Sequence, residues 1–191
     1  MMRNVRVIVG IAGASGAALG VSVVRQLREV GAEVDLVASA AAQRTLKEEV
    51  GPDAWDHLKA QASQVHDVHN IGASIASGSV PVAGMIVAPC SMRSLAAIAA
   101  GLDDNLLTRA AGVQLKERRR LVLLAREAPL TLAHLRNMTS VTEMGAIVMP
   151  PVPAFYLNPT SVNQIVDQLA ARAIDVLGIG GGLADQWQET V

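Results

Sequence analysis

Cysteine occurs once in these 191 residues, which excludes an intrachain disulfide framework and a cysteine-rich zinc site. Aromatic side chains make up 2% of the chain, so the base-stacking platforms used on single-stranded nucleic acid are essentially absent. Charged residues amount to 17% and the net charge is −1, without the basic surplus that binding to a phosphate backbone demands. Long apolar runs are missing as well. Hydrophobic residues reach 51%, yet glycine, serine or charge interrupts every stretch before it attains the length of a bilayer span. The start, Met1-Met2-Arg3-Asn4-Val5, lacks the charged, apolar and small-residue regions of a signal peptide. These absences predict a soluble, cytoplasmic protein that binds neither membrane nor nucleic acid and buries its apolar excess between subunits. His57, His66, His69 and His134 share no recognisable ligand geometry with carboxylates, so no metal site is expected.

What is present is alternation. Val5 to Ile11 is a β-branched apolar run ended by Gly13, and Ala17 to Val30 carries Leu19, Val23, Leu27 and Val30 at helical spacing: a strand, a tight turn and a helix. Glu33 to Ala38 predicts a second strand, Arg44 to Val50 part of a helix, and Gln64 to Val68 a weak strand. Further strands are expected at Met85 to Ala88, from Leu121 to Ala125, and at Ala146 to Met149. Helices are expected at Met92 to Ala100, Leu106 to Glu117, Thr131 to Thr142 and Ser161 to Leu177, the last opened by a Ser161–Gln164 capping box. Strands alternating with helices point to an α/β protein with a doubly wound parallel sheet. One domain would cover residues 1–178, with Gly180-Gly181-Gly182 detaching a tail at 179–191.

The charged knot Lys116-Glu117-Arg118-Arg119-Arg120 leads into the bare apolar run Leu121 to Ala125, which ends in Arg126-Glu127. Such a run reads as a buried central strand, and ligands in open α/β sheets sit just beyond the carboxyl ends of these strands. Arg126 and Glu127 are therefore placed either to hold an anion and move a proton, or simply to open a solvated loop. The first loop, Gly10-Ile11-Ala12-Gly13-Ala14-Ser15-Gly16, is not the dinucleotide fingerprint. Its glycines still allow a phosphate to approach, and the following helix offers N–H groups; tight packing is the other reading. The second strand ends in Ala38-Ser39 instead of the acidic residue that holds an adenosine ribose, which favours a mononucleotide. Ser91, Met92, Arg93 and Ser94 open a helix whose N–H groups and hydroxyls suit a phosphate or a ring edge, or at Ser91 an ordinary cap. Cys90 has no base at a recognisable offset and reads as structural. Arg109 and Lys116 lie seven apart on one helical face, suited to gripping a phosphate or, for Lys116, to complementing the helix end. Arg172 shares a face with Ile165, Leu169 and Val176, where it either snorkels or needs an anionic partner. Trp187 either closes over a site or anchors the terminus.

Several of these motifs occur together in one known family. Lys116-Glu117-Arg118-Arg119 with Leu121-Val122-Leu123, Arg126-Glu127 before Pro129-Leu130, Gly13-Ala14-Ser15-Gly16, Ala76-Ser77-Gly78-Ser79, Ala88-Pro89-Cys90-Ser91-Met92, and Phe155-Tyr156 followed by Arg172 resemble the UbiX-type flavin prenyltransferase family over the whole chain. The resemblance implies a Rossmann/flavodoxin-like three-layer sandwich and a homo-oligomer, commonly a dodecamer, whose sites can lie between subunits. It implies transfer of a dimethylallyl group from dimethylallyl monophosphate to reduced FMN, at N5 and then C6, giving prenylated FMN for a UbiD-type decarboxylase. Gly13, Ala14, Ser15, Ser39 and Arg126, with Ser91, Met92, Arg93 and Ser94, would bind FMN. Arg109, Lys116 and Glu127 would be catalytic, and Tyr156 and Arg172 would hold the substrate phosphate. Departures from the family pattern fall at Ala12, Ala40, Leu102-Asp103-Asp104-Asn105 and Gly112. The alternatives are an FMN-dependent decarboxylase without prenyl transfer and an FMN-binding accessory subunit. The histidine and the Asn-rich motif of the related cysteine decarboxylases are not found.

Overall fold

The computed structural model describes residues 5–187. Six strands form one all-parallel sheet: β1 (Arg6–Ile11), β2 (Glu33–Ala38), β3 (Gln64–His66), β4 (Gly84–Cys90), β5 (Arg120–Ala125) and β6 (Ile147–Val148). Their spatial order is β3-β2-β1-β4-β5-β6, so the winding reverses between β1 and β4. Both edges are very short strands, which limits the exposed ladder open to wrong pairing. The interior strands carry apolar side chains on both faces, as a sheet covered on both sides requires. Val7, Val9, Ile11, Ile86, Ala88, Val122 and Leu124 point into one core, and Ile8, Met85, Val87, Leu121 and Leu123 into the other.

Four helices cover the first face: α1 (Ala17–Glu29), α2 (Ala40–Glu49), α3 (Ala54–Gln61) and α7 (Val162–Leu177). The second face carries α4 (Met92–Ala99), α5 (Leu106–Lys116) and α6 (Leu132–Glu143). The result is the expected doubly wound three-layer sandwich. Helix α3 is the one the sequence pattern does not announce, because only Ala54 and Leu58 of its eight residues are buried. The capping box is also placed differently from expectation. Ser161 Oγ accepts from Gln164 N–H at 3.2 Å, but the Gln164 side chain turns to Thr160 N–H at 2.7 Å. The reciprocal box forms instead between Thr131 and His134 at the start of α6. Beyond α7, Asp175 accepts from Gly182, Leu183 and Ala184 N–H at 3.2, 2.7 and 2.9 Å, seating the chain that follows back on the helix.

One charged group lies inside the sheet. Asp35 on β2 is 1% exposed, accepts from His66 Nε2 at 2.7 Å, and takes two bonds from Arg6 across the strands. Arg6 reaches on to Ser74 Oγ at 3.3 Å, tying the connection between β3 and β4 to the sheet. Burial raises the Asp35 pKa, but the hydrogen bonds and charges of His66 and Arg6 outweigh it and leave the carboxyl below its ordinary value. The stabilisation it gives is complete above the unfolded carboxylate pKa and is lost as pH falls through the lower folded one. Asp35→Asn is expected to cost about 3 kcal/mol in urea unfolding at neutral pH. The variant should also lose part of the wild-type decline in stability at acid pH.

Candidate active site

The carboxyl ends of the central strands bring four loops together. After β1 comes the exposed turn Gly13-Ala14-Ser15, after β2 Ser39, after β4 Ser91, and after β5 Arg126 and Glu127. Gly13 is required by a close approach: a Cβ on it would lie 2.3 Å from the Ala41 Cβ at the start of α2. Gly13→Ala is expected to push the two loops apart and lower stability by about 1–3 kcal/mol, read from denaturant unfolding. Ser39 and Ser91 are both N-caps, accepting from Ala42 N–H at 3.1 Å and from Ser94 N–H at 3.3 Å. Their hydroxyls are thereby engaged, and the remaining first-turn N–H groups of α2 and α4 are left without intrahelical partners at the crevice. The Met92 side chain is buried in the core, so only its backbone faces this edge. Arg93 pairs with Asp104.

The sequence treats the start of α1 as offering N–H groups to a phosphate, but two of them are already taken. The Glu49 carboxylate, at the end of α2, accepts from Gly16 and Ala17 N–H at 2.8 and 2.9 Å. Burial raises its pKa, but bonds from Ala17, Ser15 and Gly16, with the charge of Arg126, hold it below the usual carboxylate range. An anionic side chain thus sits among Ser15, the α1 dipole and Arg126. Glu49 is the site residue that sequence reasoning missed. Its one signal is an acidic residue at a helix C-terminus, where the macrodipole disfavours it.

Glu127 is exposed, and its Oε1 accepts from Ala128 N–H at 3.1 Å. Arg109 and Lys116 do share a flank of α5, facing the segment Ala76-Ser77-Gly78-Ser79. Arg109 Nε donates to Ala76 O at 3.3 Å, and a Cβ on Gly78 would lie 2.6 Å from Lys116 Nζ. Lys116 pairs with Glu117, and Arg109 with Asp103. Yet Lys116 precedes β5 and Glu127 follows it, so they lie at opposite ends of a six-residue strand, roughly 17 Å long at the parallel-strand rise. Cys90 is buried and its thiol is pushed up to about 12 by desolvation, which leaves it inert at neutral pH.

Tyr156 and Arg172 occupy a third place. They line a cleft of about 1040 Å³ between α1, α7, the connection after β6 and residues 182–187. The Arg172 side chain is not on the apolar stripe that spacing suggested. Leu169, Ala170, Ala173, Ile174 and Leu177 form the buried face, while Arg172 is exposed and makes no hydrogen bond or ion pair among the described residues. Trp187 stacks edge-to-face on Tyr156, with centroids 5.0 Å apart, while Asp175 and Gln168 hold the chain beside it. This cleft lies on the α7 face of the sheet and α5 lies on the other. Within one chain the four candidate phosphate ligands therefore do not meet. Among the described residues no cluster of His, Cys, Asp and Glu could hold a metal ion, and no helix is long and apolar enough to cross a membrane.

Residues 1–174 match the model of the Flavoprotein family. A flavin prenyltransferase UbiX of Neisseria meningitidis serogroup B is 51% identical over 183 residues, 96% of each chain. Among solved structures, AnUbiX (PadA1) in complex with FMN and dimethylallyl pyrophosphate superposes with a TM-score of 0.95 at 44% identity, over 99% of this chain and 100% of that one. A dodecameric FMN-dependent Ubix-like decarboxylase from Escherichia coli O157:H7 gives 0.92 at 44% identity, over 96% and 100%. With its sheet order, its crevice at the reversal of winding and near-full-length identity of this degree, the chain belongs to the UbiX-type flavin prenyltransferases of the Flavoprotein family.

Proposed function

We propose that this chain transfers a dimethylallyl group from dimethylallyl monophosphate to reduced FMN, joining it at N5 and then at C6, and releases prenylated FMN for a UbiD-type decarboxylase in the cytoplasm. The observation that carries the reading is the full-length match to a protein solved in complex with FMN and dimethylallyl pyrophosphate. The crevice also fits a flavin mononucleotide. Unpartnered first-turn N–H groups of α2 and α4 offer donors, and Arg126 makes no side-chain hydrogen bond among the described residues. When bound, reduced FMN supplies the nucleophilic nitrogen and ring carbon.

The residues of the chain do the rest. Gly13, Ala14, Ser15, Ser39, Arg126 and the 91–94 turn orient the ring system. Arg109, Lys116, Tyr156 and Arg172 hold the donor's phosphate, and their charge stabilises it as the carbon–oxygen bond breaks and the oxygen keeps the electron pair. Glu127 accepts the proton lost from C6 or delivers one to the departing phosphate. Because α5 and α7 lie on opposite faces of the sheet, this reading takes the phosphate ligands from more than one copy, in an assembly such as the dodecamer of the Escherichia coli neighbour.

That neighbour's name, a decarboxylase, keeps a second reading in view. Anaerobic incubation with reduced FMN and dimethylallyl monophosphate, followed by mass spectrometry of the extracted flavin, separates the two. A gain of one five-carbon unit is expected. Unchanged flavin that remains tightly bound would leave a carrier or a decarboxylase instead.

A further inference from the structure

The charge of Arg109 is already answered in the structure. Its Nε donates to Ala76 O at 3.3 Å and its Nη1 to Asp103 Oδ2 at 2.8 Å, while Nη2 has no partner among the described residues. Asp103 belongs to a turn held by the bonds of its next two residues. Asp104 beside it takes Arg93 and the Thr108 hydroxyl, and Asn105 caps α5. The Asp103 carboxylate also lies against α5 at a point where the helix has no side chain. A Cβ on Gly112 would stand 3.0 Å from Asp103 Oδ1, tighter than an ordinary contact. Glycine is otherwise a poor choice inside a helix. The structure thus joins Asp103, Arg109 and Gly112 into a single feature.

We propose that Asp103 is a positioning residue for Arg109, a counterion that holds the guanidinium in place and yields it to the donor's phosphate by exchange. The inference rests on the reading that Arg109 grips that phosphate. Before binding, the ion pair restrains a long side chain that would otherwise lose its rotamer freedom when the phosphate arrives. During binding, a dianion displaces a monoanion from the same guanidinium, and the nearby carboxylate opposes the newcomer. The site therefore holds phosphate less tightly than Arg109 alone would, which favours release once the carbon–oxygen bond has broken.

Calorimetric titration of inorganic phosphate into the FMN-loaded full-length protein at constant pH and low salt tests this. Asp103→Asn keeps the shape and removes the charge, and should tighten phosphate binding about two- to fivefold, the scale of a half-exposed ion pair. Gly112→Ala should act in the same direction but more weakly, because the new Cβ shifts the carboxylate by a few tenths of an ångström without altering any charge. Arg109→Met should weaken binding, and in that background Asp103→Asn should tighten it by less than in the wild-type protein, because only the carboxylate's direct repulsion is left to remove. If Arg109→Met weakens phosphate binding while Asp103→Asn leaves it unchanged or weaker, the Asp103 role is wrong and the Arg109 reading stands. A lower melting temperature with no tightening has the same meaning, a merely structural aspartate. If Arg109→Met has no effect, the phosphate-ligand reading of Arg109 fails, and the exchange fails with it.

Discussion

Glu127→Gln is expected to lower kcat by about 10²–10⁴-fold, the usual contribution of a positioned acid–base group. FMN affinity should change little, because among the described residues the side chain bonds only to its neighbour Ala128 N–H. The substitution keeps size and hydrogen-bonding capacity while removing the ability to take up a proton near neutral pH. A loss confined to kcat would place Glu127 in the transition state and not in ground-state binding. Single-turnover flavin prenylation with saturating donor, beside a flavin-fluorescence titration of the same variant, measures both quantities. Full turnover by the glutamine variant would remove Glu127 from the chemistry. Attention would then pass to Glu49, the other carboxylate at the carboxyl edge, which already holds Ser15 and the start of α1.

These two glutamates show where the sequence could be read and where it could not. The position of Glu127 is legible because it comes two residues after an apolar run that reads as a buried strand, and the carboxyl ends of such strands are where ligands gather. Glu49 stands in Lys47-Glu48-Glu49, indistinguishable by pattern from the solvated end of a helix. Only the pairing of β1 with β2 brings that helix end back to the first loop. The same distinction holds for the fold. The strands at Val5 and Leu121 are short, strongly apolar segments bounded by glycine or charge and read clearly, whereas the order β3-β2-β1-β4-β5-β6 depends on long-range pairing that no local pattern carries. Arg172 was misplaced for a related reason. Ile165 and Val176 are only half-buried, so an apolar stripe drawn through them is rotated away from the true buried face of α7.

A 1:1 mixture of Glu127→Gln and Arg172→Ala chains is expected to regain activity that neither variant has alone. Arg172→Ala by itself should lose about 10²–10³ in kcat/KM, as when one charge-stabilising donor is removed. Each single-variant assembly lacks one of the two groups at every site. In a randomly mixed homo-oligomer whose sites take Glu127 from one copy and Arg172 from another, about one site in four receives both intact groups. Recovery near a quarter of wild-type turnover should follow co-expression or reassembly of the pair. The argument is geometric. Glu127 lies past the carboxyl end of β5, and Arg172 lines a cleft on the outer side of α7. The end of α7 packs against the opposite edge of the sheet, where Arg120 Nη1 donates to Val176 O at 3.2 Å. Glu127 is not among the residues that line the cleft, and among the described residues no bond links it to Arg172. If mixing restores nothing, Glu127 and Arg172 must serve the same chain. The cleft around Tyr156 and Trp187 would then have to reach the crevice by a rearrangement of the segment after β6.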